Sequence, residues 1–139
     1  MGSLWPDDLP ADTQKPPRVL MLEQALHLRK QTNSVLTADV IKRTVTHPDP
    51  VTFNYSFVLI APALGNYTFS LINFDHPVEL YPVKVIVDEE MKASLPELFP
   101  KERTVMARDE EEFLEIVSRI FSSERTRKII RGLLSQSGR

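Results

Sequence analysis

Between residues 35 and 87 the chain alternates apolar and polar side chains in short runs, and each run stops at residues unsuited to extending a strand. Strand side chains point to opposite faces with a period of two, so such runs form half-buried strands. The first, Val35 to Thr46, is rich in β-branched residues, with Leu36, Ala38 and Val40 alternating with Thr37 and Asp39. His47-Pro48-Asp49-Pro50 ends it, because proline supplies no ladder donor.

The second run, Val51 to Ala61, sets Phe53, Tyr55, Phe57 and Leu59 on one face. Its other face passes from Thr52, Asn54 and Ser56 to Val58 and Ile60, the pattern of a central strand covered on both sides at one end. Pro62 and Leu64-Gly65-Asn66 form the next turn. A third run, Tyr67 to Phe74, alternates Tyr67, Phe69 and Leu71 with Thr68 and Ser70, and Asp75-His76-Pro77 turns the chain again. The fourth, Val78 to Val87, places Tyr81, Val83, Val85 and Val87 against Pro82, Lys84 and Ile86. Pro82 inside it predicts a bulge or a free edge at this strand. Connections this short join antiparallel neighbours, so the four runs predict a meander, with Thr104 to Ala107 as a short fifth strand.

Helical periodicity lies at the two ends of the chain. Pro17 suits a first helical turn, and from Val19 to about Gln31 the residues Val19, Leu22, Ala25 and Leu26 fall on one stripe with Leu28 beside it. Arg29 and Lys30 occupy the last turn, where cations favour the carbonyl end, and Thr32-Asn33-Ser34 stops the helix. Near the C-terminus Asp109 and Glu112 have capping-box spacing. Phe113, Ile116, Val117, Ile120 and Phe121 follow at helical spacing. Ser122 or Ser123 breaks and recaps, and Ile129, Ile130, Leu133 and Leu134 form the stripe of a second helix, weakened by Gly132. Asp88 to Arg103 reads as a loop with one helical turn near Leu95 to Leu98.

The expected fold is therefore a two-layer α+β sandwich. An antiparallel meander of 4–5 strands is covered on one face by an N-terminal helix and two C-terminal helices. At 139 residues, one domain over 18–139 is expected, preceded by a flexible arm over 1–17 that holds Pro6, Pro10, Pro16 and Pro17. Trp5, the single tryptophan, lies in that arm and is free to dock on its own domain or on a partner. Met-Gly-Ser at the start has the look of a cloning remnant, and no signal peptide is expected from so acidic a beginning.

Composition removes several function classes. Without cysteine there are no disulfides, thiolate metal sites or cysteine nucleophiles, which fits a reducing, cytoplasmic setting. No apolar run approaches the ~18 residues of a membrane span, so no membrane partner is expected. A net charge of −2 speaks against nucleic acid as the default partner. The basic group Arg119, Arg125, Arg127, Lys128 and Arg131 leaves a weak nucleic-acid binder through the last helix as a third reading. Its Arg127, Lys128 and Arg131 share a face that equally suits an acidic protein surface or water.

No phosphate loop, dinucleotide fingerprint, zinc-protease helix or nucleophile elbow occurs, and no cofactor is expected. The weak candidates for a metal or acid–base site are His47, Asp49, Asp75 and His76. In a meander, the first and third turns share one end of the sheet, about 10 Å apart. Two imidazoles and two carboxylates there could hold a divalent ion. Asp and His beside proline are also ordinary turn residues. His27 belongs to the opposite end. The acidic runs Asp88–Glu90 and Asp109–Glu112 read as solvated or helix-capping groups. Tyr55, Tyr67, Phe69 and Tyr81 read as core under the helices rather than as the wall of a ligand pocket. The leading expectation is a non-enzymatic interaction or accessory domain whose partner is a protein, either another chain or a second copy in a homo-oligomer. A metal-dependent hydrolase or small-ligand binder using the turn cluster stands second.

Overall fold

A computed structural model describes residues 2–10, 13–45 and 52–138. The chain order is α1 (Pro17–Gln31), β1 (Thr37–Lys42), β2 (Phe53–Ala61), a 3-10 turn (Pro62–Leu64), β3 (Tyr67–His76) and β4 (Val83–Ile86). There follow α2 (Glu89–Ser94), β5 (Thr104–Ala107), α3 (Glu110–Phe121) and α4 (Glu124–Gln136). The five strands pair in chain order, each antiparallel to the next, so the expected α+β meander is the fold of this protein.

Register decides which side chains share a face. Tyr55 pairs with Phe74 and Phe57 with Ile72, while Phe74 pairs with Val85 on its other flank. These residues meet the helices: Phe57 packs on Phe121 at 5.6 Å between ring centroids, and Phe74 on Phe113 at 5.9 Å. Leu20, Met21 and Ala25 of α1, Met91 of α2 and Leu133 of α4 complete one buried cluster with them. Between Phe57 and Val58 the pairing with β3 slips, because Leu71 is an extra residue of a bulge. Both Leu71 and Ile72 are consequently buried.

On the other side of β2, Asn54, Ser56 and Val58 are also buried, although Val58 stands outside the main cluster. Ser56 Oγ donates to Asn73 Oδ1 at 2.7 Å and lies 2.6 Å from Ser70 Oγ, so the centre of that face is a satisfied polar island. Burial of such hydroxyls is tolerated because each has a partner.

Several expectations need correction. In α1 the buried stripe is Pro17, Leu20, Met21 and Ala25, whereas Val19 and Leu26 face outward. That helix carries apolar residues almost all round, so the spacing alone did not select a face. Asp75 and His76 do not turn the chain; they end β3, and the turn runs from Pro77 to Leu80, where Leu80 N donates to Pro77 O at 3.0 Å. β4 begins only after the cis Tyr81–Pro82 bond, and Leu80 sits at φ 82°. Nor is β4 an edge: β5 covers it, leaving β1 and β5 outermost. The helical turn expected near Leu95 is present, with Leu98 N and Phe99 N donating to Leu95 O at 3.1 and 3.0 Å, but α2 before it was not expected; Asp88 accepts from Met91 N at 2.7 Å and caps it.

The C-terminal helices follow their capping signals. Asp109 accepts from Glu112 N at 2.8 Å, but the returning Glu112 carboxylate takes Arg108 N at 3.1 Å, one residue earlier than a capping box would. Glu112 also binds the Arg108 guanidinium at 3.0 Å. Ser123 ends one helix and starts the next: its Oγ donates to Ile120 O at 2.7 Å and accepts from Thr126 N at 3.2 Å.

Two outcomes follow. Replacing Phe74 by Ala should cost about 3–5 kcal/mol in urea unfolding, because a fully buried ring wedged between Tyr55 and Phe113 leaves a cavity. The Arg108 side-chain hydrogen bond, then its backbone N–H, holds the Glu112 carboxyl below the usual carboxylate range. Its stabilisation is complete above the ordinary carboxylate pKa and fades as pH falls through the depressed folded value. Carboxyl-detected NMR titration should show Glu112 moving up toward the ordinary range in Arg108→Ala, with part of the depression kept because the backbone N–H at that position remains.

Candidate functional site

One end of the sheet gathers the start of β2 and the end of β3: Phe53 faces His76, and Asn54 faces Asp75. Arg43, just beyond β1, joins them through its N–H to Asn54 O at 2.8 Å. His47 and Asp49, the other half of the expected cluster, lie outside the described residues. Asp75 is engaged by Arg43 Nη2 in a part-buried ion pair, and Arg43 Nε donates to Tyr55 O at 3.1 Å. The His76 ring lies between Phe53 and Tyr55, 5.5 and 5.9 Å from their centroids. Its Nδ1 is 2.8 Å from Pro77 O, a contact that requires a proton on that nitrogen. Asp75 thus neutralises a cation, and His76 is an aromatic filler with one ring nitrogen engaged. Among the described residues no three His, Asp or Glu side chains are placed to share a metal ion.

The acidic run at Asp88 has a use besides capping. Arg125 of α4 places Nη1 3.2 Å from Glu90 and Nη2 3.6 Å from Asp88, which ties α4 to the start of α2. Tyr55, Phe69 and Tyr81 pack against the core as expected, but Tyr67 is half exposed.

Two of the hollows on the helical layer have apolar walls. The first, about 330 Å³, lies between α1 and α4 and is lined by His27, Leu28, Phe121, Thr126 and Ile130 over Phe57. Its floor is already sealed, with Phe57 and Leu59 buried, and the Thr126 hydroxyl is spent on Ile120 O at 2.7 Å. The second, about 560 Å³, is a groove between α4 and the β2–β3 connection. Leu64, Tyr67 and Phe69 form one wall, and Ile129, Gly132 and Leu133 the other. The Arg125 guanidinium stands 5.7 Å from the Phe69 ring centroid, a cation–π contact, and Lys128 stands at the rim. Gly132 lies inside a helix, yet a Cβ there would meet nothing within 4 Å. The sequence carried a signal for this groove, since glycine in a helix interior costs about 1 kcal/mol relative to alanine. The helical pattern alone did not reveal that the missing side chain faces a groove.

The arm is the remaining unusual feature. Residues 2–10 are exposed throughout, with Leu4 at 91%, Trp5 at 73% and Leu9 at 60%. Its root is tied down. Gln14 Oε1 accepts Glu110 N at 2.9 Å, Lys15 N donates to Glu110 Oε1 at 2.6 Å, and Tyr81 Oη donates to Lys15 O at 3.0 Å. Lys15 Nζ binds Glu23 at 2.8 Å, and that hydrogen-bonded carboxylate raises the ammonium pKa.

Fold and surface together define a two-layer α+β meander domain that carries a rooted apolar arm. Comparison of the chain with protein-family models, with curated proteins and with solved structures finds no match. No helix among the described residues is long and apolar enough to cross a membrane.

Asp75→Asn should lower stability by about 1–3 kcal/mol, between the exposed and buried limits for an ion pair, because Arg43 keeps its charge and loses its partner. The check is chemical denaturation at neutral pH with Asp39→Asn, an exposed strand position, as the control.

Proposed function

We propose that this chain is a non-enzymatic protein-interaction domain, acting in the cytoplasm, whose recognition element is the N-terminal arm. The observation that carries the reading is the grouping of Leu4, Trp5 and Leu9 within six residues, presented to solvent by a hydrogen-bonded root. A folded chain gains nothing from leaving a tryptophan and two leucines in water. Covering the indole alone removes about 150–250 Å² from solvent, and Trp is among the residues that dominate binding energy. Pro6 and Pro10 limit the backbone freedom lost when the arm is captured. Asp7 and Asp8 between the apolar residues favour a partner surface with cations around an apolar centre. The metal-dependent hydrolase reading has less support, because Asp75 already neutralises Arg43.

The test compares the whole chain with the Leu4→Ala/Trp5→Ala/Leu9→Ala variant, cross-linked in extracts of the source cells. The variant should keep the melting temperature to within about 2 °C, since its altered positions are exposed. It should also lose the proteins cross-linked by the parent chain. An identical set of cross-linked proteins from both would sink the reading.

A further inference from the structure

We infer that the arm's partner is a second copy of this chain, with Leu4-Trp5-Pro6-Asp7-Asp8-Leu9 of one protomer seated in the α4–β3 groove of the other. The inference rests on the interaction reading above and names its partner. Three observations support it.

The first is shape. The groove of about 560 Å³ has apolar and aromatic walls from Leu64, Tyr67, Phe69, Ile129 and Leu133, and it is open where Gly132 lacks a side chain. Nothing inside the fold requires glycine there: the helix is regular, and a Cβ would project into empty space. Glycine weakens a helix, so its use at this position is explained by something that approaches the α4 backbone from outside. A flat indole is suited to that approach.

The second is charge. The arm intersperses its apolar residues with Asp7 and Asp8 and has no cation before Lys15. On the groove side Lys128 stands at the rim, and the exposed Arg127 and Arg131 lie behind it on the same helix, outside the groove lining. Arg125 is balanced by Asp88 and Glu90, so Lys128 is the lining cation left for the arm's carboxylates, with Arg127 and Arg131 adding positive charge behind it. Opposite charges set around an apolar centre fix the register of a short segment.

The third is reach. The arm is rooted through Lys15 at Glu110 and Tyr81, on the end of the sheet where β4 begins. The groove lies at Tyr67, where β3 starts, and the 10 residues of β3 separate the two ends by about 30 Å. Trp5 precedes Lys15 by ten residues, a span of at most about 35 Å when fully extended. Proline-rich chain in polyproline II gives about 31 Å over ten residues. An arm turning back over its own domain would have to be taut, with no slack to pass around side chains. Crossing to a neighbouring copy needs no such extension, and a two-fold arrangement seats both arms at once.

Two reciprocal arms bury on the order of 1,000 Å², the range of weak association. The experiment is sedimentation of the full chain from about 10 μM to about 1 mM, concentrations that bracket weak dimers. Emission from Trp5, the sole tryptophan, is read in parallel. The expected result is a mass rising from monomer toward dimer, with the emission moving to the blue over the same concentrations. Gly132→Gln fills the groove with a better helix former, so it should hold the melting temperature or raise it, and it should abolish both changes. Asp7→Lys/Asp8→Lys and Lys128→Glu/Arg131→Glu should each stay monomeric alone and associate when mixed.

Three results would overturn the inference. One is a monomer with solvent-exposed indole emission at every concentration. Another is a blue emission independent of concentration, which means docking within one chain. The last is a dimer that persists in Gly132→Gln. If self-association is absent while arm-dependent cross-linking to another protein remains, the partner is wrong and the interaction reading stands.

Discussion

Strand β2 is the constraint on which the rest of the structure depends. It lies between β1 and β3, and its Phe57, Leu59 and Ala61 supply the floor on which the helices pack. Because strand side chains alternate, a slip of one residue would turn that floor outward and bring Asn54 and Ser56 under the helices. Ser56 meets its partners Ser70 and Asn73 of β3 only in the observed register, while Asn54 bonds Thr52 beside it in the chain. Apolar burial on one side and hydrogen bonding on the other therefore specify the same pairing.

The bulge at Leu71 lets β3 serve that floor along its whole length. Before it, Tyr67 and Phe69 lie opposite Ala61 and Leu59; after it, the phase changes and Ile72 and Phe74 carry on the buried side. Without the extra residue, Asn73 and Asp75 would occupy those places. The phase change also sends Asp75 to the side where Arg43 meets it and sets His76 beside Phe53 and Tyr55. In the described half of the candidate turn cluster, Asp75 and His76 take part in closing the sheet at this end.

The elements of the helical layer are tied to one another and to the arm by polar contacts. Ser123 and Thr126 join α3 to α4 through the Ile120 carbonyl, and Arg125 joins α4 to α2 through Asp88 and Glu90. Glu110 connects the start of α3 to the root of the arm. The body and its arm therefore contrast in physical character. Every large aromatic of the core is packed, while the single tryptophan stands in water on a segment whose attachment point is hydrogen-bonded.

The meander itself was legible in the sequence. Period-two runs separated by proline, glycine and asparagine allow few ways to pair, and the caps at Asp109 and Ser123 mark their helices locally. Signals of this kind are read within a few residues, so they survive without knowledge of the fold. What faces what was decided by tertiary packing. In α1, Leu20 and Met21 were chosen over Val19 and Leu26 because β1 and β2 lie on that side, and a helix whose apolar residues are spread around its circumference could not announce it. The bulge at Leu71, the ion pair of Arg43 with Asp75 and the groove at Gly132 each join residues distant in the chain, and long-range proximity leaves no local pattern.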